Sequence, residues 1–407
     1  MSIDDMPPLG WDNGEQWTTA PAGQEFERWI GANTRFERHV LGKTRLGFDL
    51  APLTIGDGPE TDTMYINSGI HGTEYAAREA TLQLVKDWAI RLDSGDTELE
   101  ALLSRRRFVI MPTSNPDGRH TAQYGNSLDV DPAQDGFTLH EAERTVIERI
   151  FSTWNPVVMI DLHEYNGDGY NLWTNRNRGA QIHPDIDTAS HNLEMAVHAA
   201  VQGEGYATAE YPQQRARALG HTATYRHCLA LLTETRTGFN GNWDPRPVRV
   251  HVQLTAQHAA IDWFDQNIAL AKAARNASLQ WALQHPGPDL HMFNKLQIYP
   301  ENIHQVCVDG YELEQPLPAL CRDHYGIETT EGGTYVPMRQ AARGFIPELM
   351  DPEVDGRMVR ARPRLSKTIL TGAPTPYVRI DGETRPVTRM ILMQDGQRRH
   401  VEAAELS

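Results

Sequence analysis

Two residues that can bind a metal ion follow a short apolar run early in the chain. His71 and Glu74 lie three residues apart in the stretch 66–74, INSGIHGTE. Gly69 and Gly72 allow a tight turn in which both side chains face one point. Imidazole and carboxylate are good ligands for Zn²⁺, and a catalytic zinc needs three protein ligands with one position left open. The pair alone is a weak signal, so a third ligand and a base must come from elsewhere in the chain.

Two further candidates stand where apolar runs end. His163 comes soon after residues 157–160, and Glu234 comes soon after residues 229–232. In open α/β sheets, ligands bind just beyond the carboxyl ends of the strands, so these side chains have a common place to meet the first pair. His163 then completes a three-ligand site for one Zn²⁺ per chain, and Glu234, which is not a ligand, can take a proton from the attacking water. Such a site can hydrolyse an amide bond.

Carboxylates also flank His163 on both sides. Asp161 and Glu164 are predicted either to orient an imidazole ligand or to act as ordinary capping or surface groups. The two interpretations have equal weight from the sequence.

The elements that must position these residues alternate along the chain. Apolar strand-like runs and amphipathic helical stripes follow one another from about residue 25 to about 285, which predicts an α/β domain with a largely parallel sheet. Residues 1–24 are expected to form a mobile or surface-hugging lead-in. Residues 286–407 are expected to form a smaller α+β or β-rich module, with a helix near 340–350 and strands at 377–380 and 389–392.

Composition restricts the partners. Among 407 residues, 38 are Lys or Arg and 54 are Asp or Glu, so the formal charge is −16. This charge repels nucleic acid and acidic membranes, and neither is expected as a partner. Three cysteines without C-x-x-C spacing suggest neither a disulfide framework nor a thiolate metal site. The first residues lack the features of a secretory signal, and no apolar run has the length of a membrane span, so a cytoplasmic location is expected. The oligomeric state is not indicated.

Four motifs occur in order within roughly residues 25–275: His71-x-x-Glu74, Asn115–Arg119 (NPDGR), Asp161–Glu164 (DLHE) and Thr233–Arg236 (TETR). Together they resemble one family, the zinc carboxypeptidases or M14-type metallopeptidases. The resemblance implies a mixed eight-stranded sheet flanked by helices. It also implies one zinc held by His71, Glu74 and His163, with Glu234 as general base and acid. Aspartoacylase-like deacylases share this metal chemistry, but the NPDGR motif favours the peptidases.

The sequence departs from the family where substrate is bound. Relatives with NPDGR carry an Arg that helps to hold the oxyanion, and then an Asn-Arg pair that binds the terminal carboxylate of the substrate. Here Tyr124 occupies the first position, and Asp131 with Pro132 occupies the second. An Asp repels a carboxylate that an Arg fork would bind. Tyr124 is therefore a candidate oxyanion donor, and other candidates are His120, Tyr211 and Tyr225.

Two interpretations follow from the missing Arg. Another Arg can fill the role, and the candidates are Arg119, Arg176, Arg178, Arg215, Arg217 and Arg236. Arg215 and Arg217 lie in the loop where the family contacts substrate. In the second interpretation, which we favour, the substrate has no free carboxylate there, and a cationic or neutral group faces Asp131.

The favoured function is a specialised amidase, deacylase or biosynthetic tailoring hydrolase that acts on a small molecule or a peptide. One alternative is an ordinary metallocarboxypeptidase with a relocated Arg. Another is a binding protein that retains the metal without catalysis, although a pure binder has no need of a proton shuttle at Glu234. A structural role for the residues after about 286 is a third possibility.

Overall fold

The computed structural model describes residues 2–10, 17–128, 130–133, 141–167, 169–176, 182–211, 219, 223–224, 227–237 and 244–284, together with strands between 307 and 402. These residues form two compact units. The first comprises most of residues 1–279, and the second is built mainly from residues 280–407. No helix in the described ranges is long and apolar enough to cross a membrane.

A mixed sheet forms the centre of the first unit. Its strands, with a short side hairpin (β2 and β3), are β1 (Glu37–Arg38), β2 (Gly42–Lys43), β3 (Asp49–Leu50), β4 (Leu53–Ile55), β5 (Thr63–Ser68), β6 (Arg107–Met111), β7 (Val158–Tyr165), β8 (Leu172–Arg176), β9 (Thr208–Glu210) and β10 (Leu229–Arg236). The eight-stranded order is β1-β4-β6-β5-β7-β10-β8-β9. The central strands β6, β5, β7 and β10 are parallel to one another. Strand β4 runs antiparallel to β6, β1 runs antiparallel to β4, and β8 runs antiparallel to β10. The predicted eight-stranded mixed sheet is confirmed.

Helices flank this sheet. Their bounds are α1 (Ala20–Asn33), α2 (Tyr75–Asp93), α3 (Thr97–Arg105), α4 (Pro116–Thr121), α5 (Ala142–Trp154), α6 (Pro184–Gly203) and α7 (Arg246–Gln284). Side-chain caps fix several starts: the Thr19 hydroxyl accepts from Ala22 N at α1, and the Asp96 carboxylate accepts from two backbone amides at α3. Since α1 already begins at Ala20, the end of the predicted lead-in is helical.

The two faces of the sheet bury different side chains. Along β7, Val158, Ile160 and Leu162 point to a core that includes α2, α6 and α7, whereas Met159 points to a second core that includes α5. Strand side chains alternate between faces, so Asp161 and His163 share the face of Met159. The chain therefore places its apolar residues at the start of each strand and its chemistry at the carboxyl end of one face.

Residues 36–55 form two nested antiparallel pairs. Strand β1 pairs with β4, and β2 pairs with β3. The turn lies at 44–48, between the strands at 42–43 and 49–50. Gly47 has a φ of +88° in this turn, a conformation that glycine adopts without strain.

The second unit is described by its strands. They are β11 (Cys307–Val308), β12 (Tyr311–Glu312), β13 (Glu348–Val354), β14 (Arg357–Met358), β15 (Arg364–Leu365), β16 (Tyr377–Ile380), β17 (Glu383–Pro386), β18 (Arg389–Gln394) and β19 (Gln397–Glu402). The strands predicted at 377–380 and 389–392 are present. The helix predicted near 340–350 is wrong at its end, since residues 348–350 begin β13 and pair with β18 and β15. Pro352 disfavours a helix there.

Candidate metal centre

A turn between β5 and α2 brings the first two predicted ligands together. Strand β5 ends at Ser68, Gly69 follows with a φ of +64°, and α2 begins at Tyr75. His71 Nδ1 lies 2.7 Å from Glu74 Oε1. The left-handed backbone at Gly69 reverses the chain without steric cost, which lets both side chains turn back toward the end of the sheet.

His163, near the end of β7, joins this pair. Its Nδ1 atom lies 3.1 Å from His71 Nδ1 and 3.0 Å from Glu74 Oε2. The three side chains are buried, with residue exposures of 5%, 7% and 4% for His71, Glu74 and His163. One ligand atom from each lies within 4.8 Å of the others. The structure thus brings the three predicted ligands to one point.

The Nε2 atom of each imidazole, on the side away from the cluster, is hydrogen-bonded to an aspartate. His71 Nε2 lies 3.1 Å from Asp131 Oδ1, and His163 Nε2 lies 3.0 Å from Asp161 Oδ2. An ionised carboxylate only accepts hydrogen bonds, so both Nε2 atoms donate, and in the neutral imidazoles the lone pair resides on Nδ1. Both lone pairs then face the cluster, which is the arrangement that metal-binding histidines require.

The charges at this point favour a cation. Burial opposes a charged imidazole, but the carboxylates of Glu74 and Asp131 outweigh it and raise the pKa of His71 to about 9. The pKa of His163 is likewise raised, against burial, by Asp161 and Glu74. Burial alone would raise the pKa of Glu74, yet the two imidazoles lower it to about 2. Two imidazole nitrogens and one ionised carboxylate, converging where positive charge is favoured, fit Zn²⁺.

Glu234 lies beside the ligands on the same face of the sheet. In the parallel pairing of β10 with β7, Glu234 is in register with His163, and in the antiparallel pairing with β8 it is in register with Trp173. Residues in register on neighbouring strands project from the same face. His163, Glu234 and Trp173 therefore form one row across three strands. The sequence did not single out Trp173, because only strand pairing places it next to Glu234.

Of the two flanking carboxylates, Asp161 contacts the imidazole of His163, whereas Glu164 contacts backbone and Arg249. The Glu164 amide donates to Glu74 Oε2, and its carboxylate accepts from Ala76 N at the start of α2 and from Arg249 Nη1 at 2.6 Å. Burial raises the pKa of Glu164 to about 7 despite Arg249. Glu164 thus fixes the backbone around Glu74.

The NPDG turn is packed directly against the turn that carries the first two ligands. Asn115 donates from Nδ2 to Ile70 O and accepts from Gly118 N, which caps α4. A Cβ on Gly72 would lie 2.0 Å from the carbonyl carbon of Gly118. The two motifs therefore need glycine at both positions, and the NPDG sequence has a structural role in placing His71.

The residues predicted to contact substrate are in different situations. The ring of Tyr124 stacks on His71, with centroids 3.8 Å apart and planes 19° apart. Asp131 is bonded to His71. The Arg119 guanidinium donates to the backbone oxygens of Thr18 and Trp17 and lies over the ring of Tyr75.

Two of the other candidate arginines are engaged in ion pairs. Arg176 pairs with Asp187 and Glu194, and Arg236 pairs with Asp244. Four other candidates, Arg178, Arg215, Arg217 and Tyr225, lie outside the described residues.

A second group of possible ligands is His191, Glu194 and Glu210. Here the Arg176 Nε atom lies 2.9 Å from Glu194 Oε2. A guanidinium already supplies positive charge at this carboxylate, so this group fits a metal less well than the first.

Comparison with known proteins gives the same family as the motifs. Residues 32–134 match the family model for zinc carboxypeptidase. The chain is 26% identical over 102 residues to probable carboxypeptidase 2 of Trichophyton verrucosum, covering 25% of this chain and 19% of that protein. It is 32% identical over 98 residues to human carboxypeptidase D, covering 23% of this chain and 7% of that protein.

Solved structures share the fold. A metallo-carboxypeptidase from Burkholderia cenocepacia superposes with a TM-score of 0.51 at 18% identity, over 60% of this chain and 69% of that one. The thrombin activatable fibrinolysis inhibitor superposes with a TM-score of 0.51 at 14% identity, over 68% of this chain and 79% of that one.

The sequence of residues 32–134 and the fold of the first unit are thus both similar to those of zinc carboxypeptidases. The matched stretch spans about a fifth or less of the length of the curated relatives. The residues that match the family model, 32–134, include His71 and Glu74 but neither His163 nor Glu234. The fold brings His163 next to His71 and Glu74, and Glu234 is in register with His163. The matched family is one of zinc enzymes, and the donor set of His71, Glu74 and His163 fits a zinc ion.

Proposed function

We propose that this chain is a zinc-dependent hydrolase of the zinc carboxypeptidase family that cleaves an amide or peptide bond in a small or specialised substrate. One observation carries the proposal: the ligand atoms of His71, Glu74 and His163 converge within 4.8 Å, and Glu234 is in register with His163 on the same face. Metal ligands and a neighbouring carboxylate are the parts that amide hydrolysis needs.

The residues divide the work among them. His71, Glu74 and His163 hold the ion, which when bound supplies the Lewis acidity that activates water and polarises a carbonyl group. Glu234 takes the proton of the attacking water and returns it to the leaving amine, since a carboxylate can serve first as base and then as acid. Asp161 and Asp131 keep the two imidazoles oriented through Nε2.

The proposed substrate has no free carboxylate at the position where relatives bind one. Support comes from the described arginines, because Arg119, Arg176 and Arg236 are each engaged by protein groups. The alternative is an ordinary metallocarboxypeptidase in which Arg215 or Arg217 binds the carboxylate. The names of the curated relatives, carboxypeptidase 2 and carboxypeptidase D, favour that alternative.

Paired substrates separate these two possibilities. Peptides and N-acyl amino acids are offered with a free and with an amidated carboxyl terminus, and kcat/KM is compared. We expect the amidated form to be cleaved at least as well as the free acid. A strict requirement for the free carboxylate would favour the ordinary carboxypeptidase.

Zinc content tests the metal site itself. The purified chain should contain close to one Zn²⁺, and His163→Ala should lose it, because one of three ligands is removed. The matched control is His191→Ala, which removes a ligand atom from the second group of possible ligands. Zinc retained in His163→Ala and lost in His191→Ala would assign the metal to the other group.

The remaining expectations are part of the same proposal. The formal charge of −16 supports a partner that is a small molecule or peptide rather than nucleic acid or a membrane surface. A cytoplasmic location goes with this proposal, and fractionation of cells that express the full chain measures it.

A further inference from the structure

A chain of hydrogen bonds runs from His163 into the core of the first unit. His163 Nε2 donates to Asp161 Oδ2 at 3.0 Å, and Asp161 Oδ1 accepts from Asn67 Nδ2 at 2.7 Å. Asn67 Oδ1 in turn accepts from the Tyr65 hydroxyl at 2.8 Å and from the Ser114 hydroxyl. The proposed reaction gives no direct role to Asn67, Tyr65 or Ser114, since none is a ligand or a base.

These side chains are almost completely excluded from water. Tyr65, Asn67 and Ser114 have an exposure of 0%, and Asp161 has an exposure of 1%. Buried polar groups are costly unless they are bonded, and water cannot replace a missing partner here. The carboxamide orientation is also fixed, because two hydroxyl groups donate to its oxygen and a carboxylate accepts from its nitrogen. Asn67 can satisfy all of these groups in one orientation only.

The chain of bonds connects three parts of the candidate site. Tyr65 and Asn67 lie on β5, which leads into the turn of the first two ligands, and Asp161 lies on β7 two residues before His163. Ser114 directly precedes the NPDG turn. Asn67 therefore joins the strand before one ligand pair, the strand of the third ligand and the loop that packs on both.

We propose that Asn67 is a positioning residue for the metal ligand His163. By donating to Asp161 Oδ1, Asn67 fixes the carboxylate plane so that Oδ2 meets His163 Nε2, which aims the Nδ1 lone pair at Glu74 and His71. The inference rests on the proposed zinc site, and it assigns to Asn67 an effect on metal affinity that neither the ligand set nor the family match supplies.

The two imidazoles differ in this support. Asp131, behind His71, has a side chain exposed by 25% and accepts from Ala133 N in the same loop. Asp161, behind His163, is buried and held by a side chain from another strand. Loss of Asn67 should therefore disturb the His163 side of the site and leave the His71 side in place.

A matched control exists in the next residue. Ser68 is also 0% exposed and its hydroxyl donates to Pro112 O at 2.8 Å, but its side chain lies on the opposite face of β5 from Asn67. Ser68→Ala removes one buried hydrogen bond from the same strand without touching Asp161. It reports how much a local loss of stability alone affects the metal.

The experiment measures Zn²⁺ affinity of the full chain by competition with a chromophoric chelator. Asn67→Ala should bind zinc about tenfold more weakly, the lower end of the range for residues that support metal ligands. Asn67→Asp, which has the same shape but offers no amide donor, should also weaken binding. Tyr65→Phe keeps the donor to Asp161 and should lose less. Ser68→Ala should stay within about twofold of the wild type, since the ligand support is intact.

A second measurement separates positioning from general loosening. The visible absorption of the Co²⁺-substituted chain reports ligand geometry, and thermal unfolding of the metal-free variants reports stability. We expect an altered Co²⁺ spectrum in the Asn67 variants and an unchanged one in Ser68→Ala. If Asn67→Ala fails to fold, Asn67→Asp and Tyr65→Phe decide.

Three results have distinct meanings. Wild-type affinity and spectrum in the Asn67 variants would overturn the positioning role. An equal loss in the Asn67 variants and Ser68→Ala would also overturn it, because the effect would then be general. A wild-type chain that binds no zinc would contradict the proposed function.

Discussion

The two halves of the candidate site are built in different ways. The ligand half, defined as His71, Glu74 and His163, stands at strand ends or in a glycine turn, and all three side chains are buried. The substrate half, defined as Tyr124, Asp131 and the loops around them, is more exposed, with Tyr124 exposed by 43%. The proposed metal ligands thus lie in the core of the fold, whereas the proposed substrate contacts lie in loops. Loops vary without loss of the core, so one family can keep its metal and change its substrate.

The largest expected effect concerns Glu234, which is in register with His163 of the ligand half. Glu234→Gln keeps the shape of the side chain but cannot accept a proton. We expect kcat to fall by about 10²–10⁴-fold, the usual contribution of a general base, while zinc content stays near one per chain. Steady-state kinetics and metal analysis on the same preparation measure both quantities.

The outcome also distinguishes an enzyme from a binding protein. Glu234→Asp is the companion variant, since it keeps the carboxylate and shortens its reach. Partial activity in Glu234→Asp would support proton transfer. Equal turnover in all three forms would mean that Glu234 is not the base, and an absence of turnover in the wild type on every amide would favour a binding role.

The second prediction concerns the close contact beneath the ligand half. Gly72→Ala would place a Cβ 2.0 Å from backbone atoms of Gly118, which cannot move without shifting α4. We expect a loss of about 1–3 kcal/mol in unfolding free energy, typical of overpacking, together with weaker zinc binding. Chemical denaturation measures the stability. Gly203→Ala is the control, because nothing lies within 4 Å of a Cβ built there. Equal stability of the two variants would show that the turns are not locked together.

The convergence of the ligand half could be predicted from the sequence for a physical reason. His71 and Glu74 are close in the chain, and His163 and Glu234 follow apolar runs that had to be strands, so their meeting at one edge followed from the α/β pattern. The roles of Asn67 and Trp173 could not be predicted, since each depends on which strands are neighbours and on register. The end of the predicted helix at 348–350 shows the same limit, because pairing with β18 decided it.

The substrate half was less predictable. The spacing of the sequence aligned Asp131 with a substrate-contacting position. In the structure its carboxylate lies against His71 Nε2. Its role toward substrate stays a prediction. Arg119 was a candidate from its motif, but its contacts with Thr18 and Trp17 come from a segment that is distant in the chain. Long-range contacts of loops leave no periodic signal in a sequence.

The third prediction concerns the buried carboxyl group of Glu27. Glu74 and Glu27 are both buried, but two imidazoles lower the pKa of Glu74, whereas burial raises the pKa of Glu27 to about 7 despite Arg78 and Arg38. Glu27 accepts a hydrogen bond from Thr113, in the loop before the NPDG turn. A folded-state pKa above the unfolded value means that the folded state binds more protons between pH 4.5 and about 7.

The stability from neutral Glu27 is fully present below pH 4.5 and is lost as the pH rises through about 7. Glu27→Gln should remove this loss, so its unfolding free energy should change less than that of the wild type between pH 5 and pH 8. The difference cannot exceed about 1.4 kcal/mol per pH unit for one proton, and we expect about 1–2 kcal/mol in all. Urea unfolding at both pH values measures it. Glu25→Gln, on the exposed side of α1, should follow the wild type; a Glu27→Gln curve parallel to the wild type would contradict the shift.

The smallest effect lies where the two halves touch. The stacked ring of Tyr124 covers His71, so it can support a ligand, and its hydroxyl was also predicted to stabilise an oxyanion. Ring contacts are worth about 0.5–1.5 kcal/mol, so Tyr124→Ala should weaken zinc binding by about two- to tenfold. Tyr124→Phe keeps the ring and should bind zinc like the wild type. Turnover of Tyr124→Phe then decides the second role, because loss of an oxyanion donor lowers kcat by about 10²–10³-fold. We expect a much smaller change in kcat, since stacking on His71 rather than contact with an oxyanion fixes the position of the Tyr124 side chain. A loss of kcat on the larger scale, with zinc affinity intact, would assign Tyr124 to the substrate half alone.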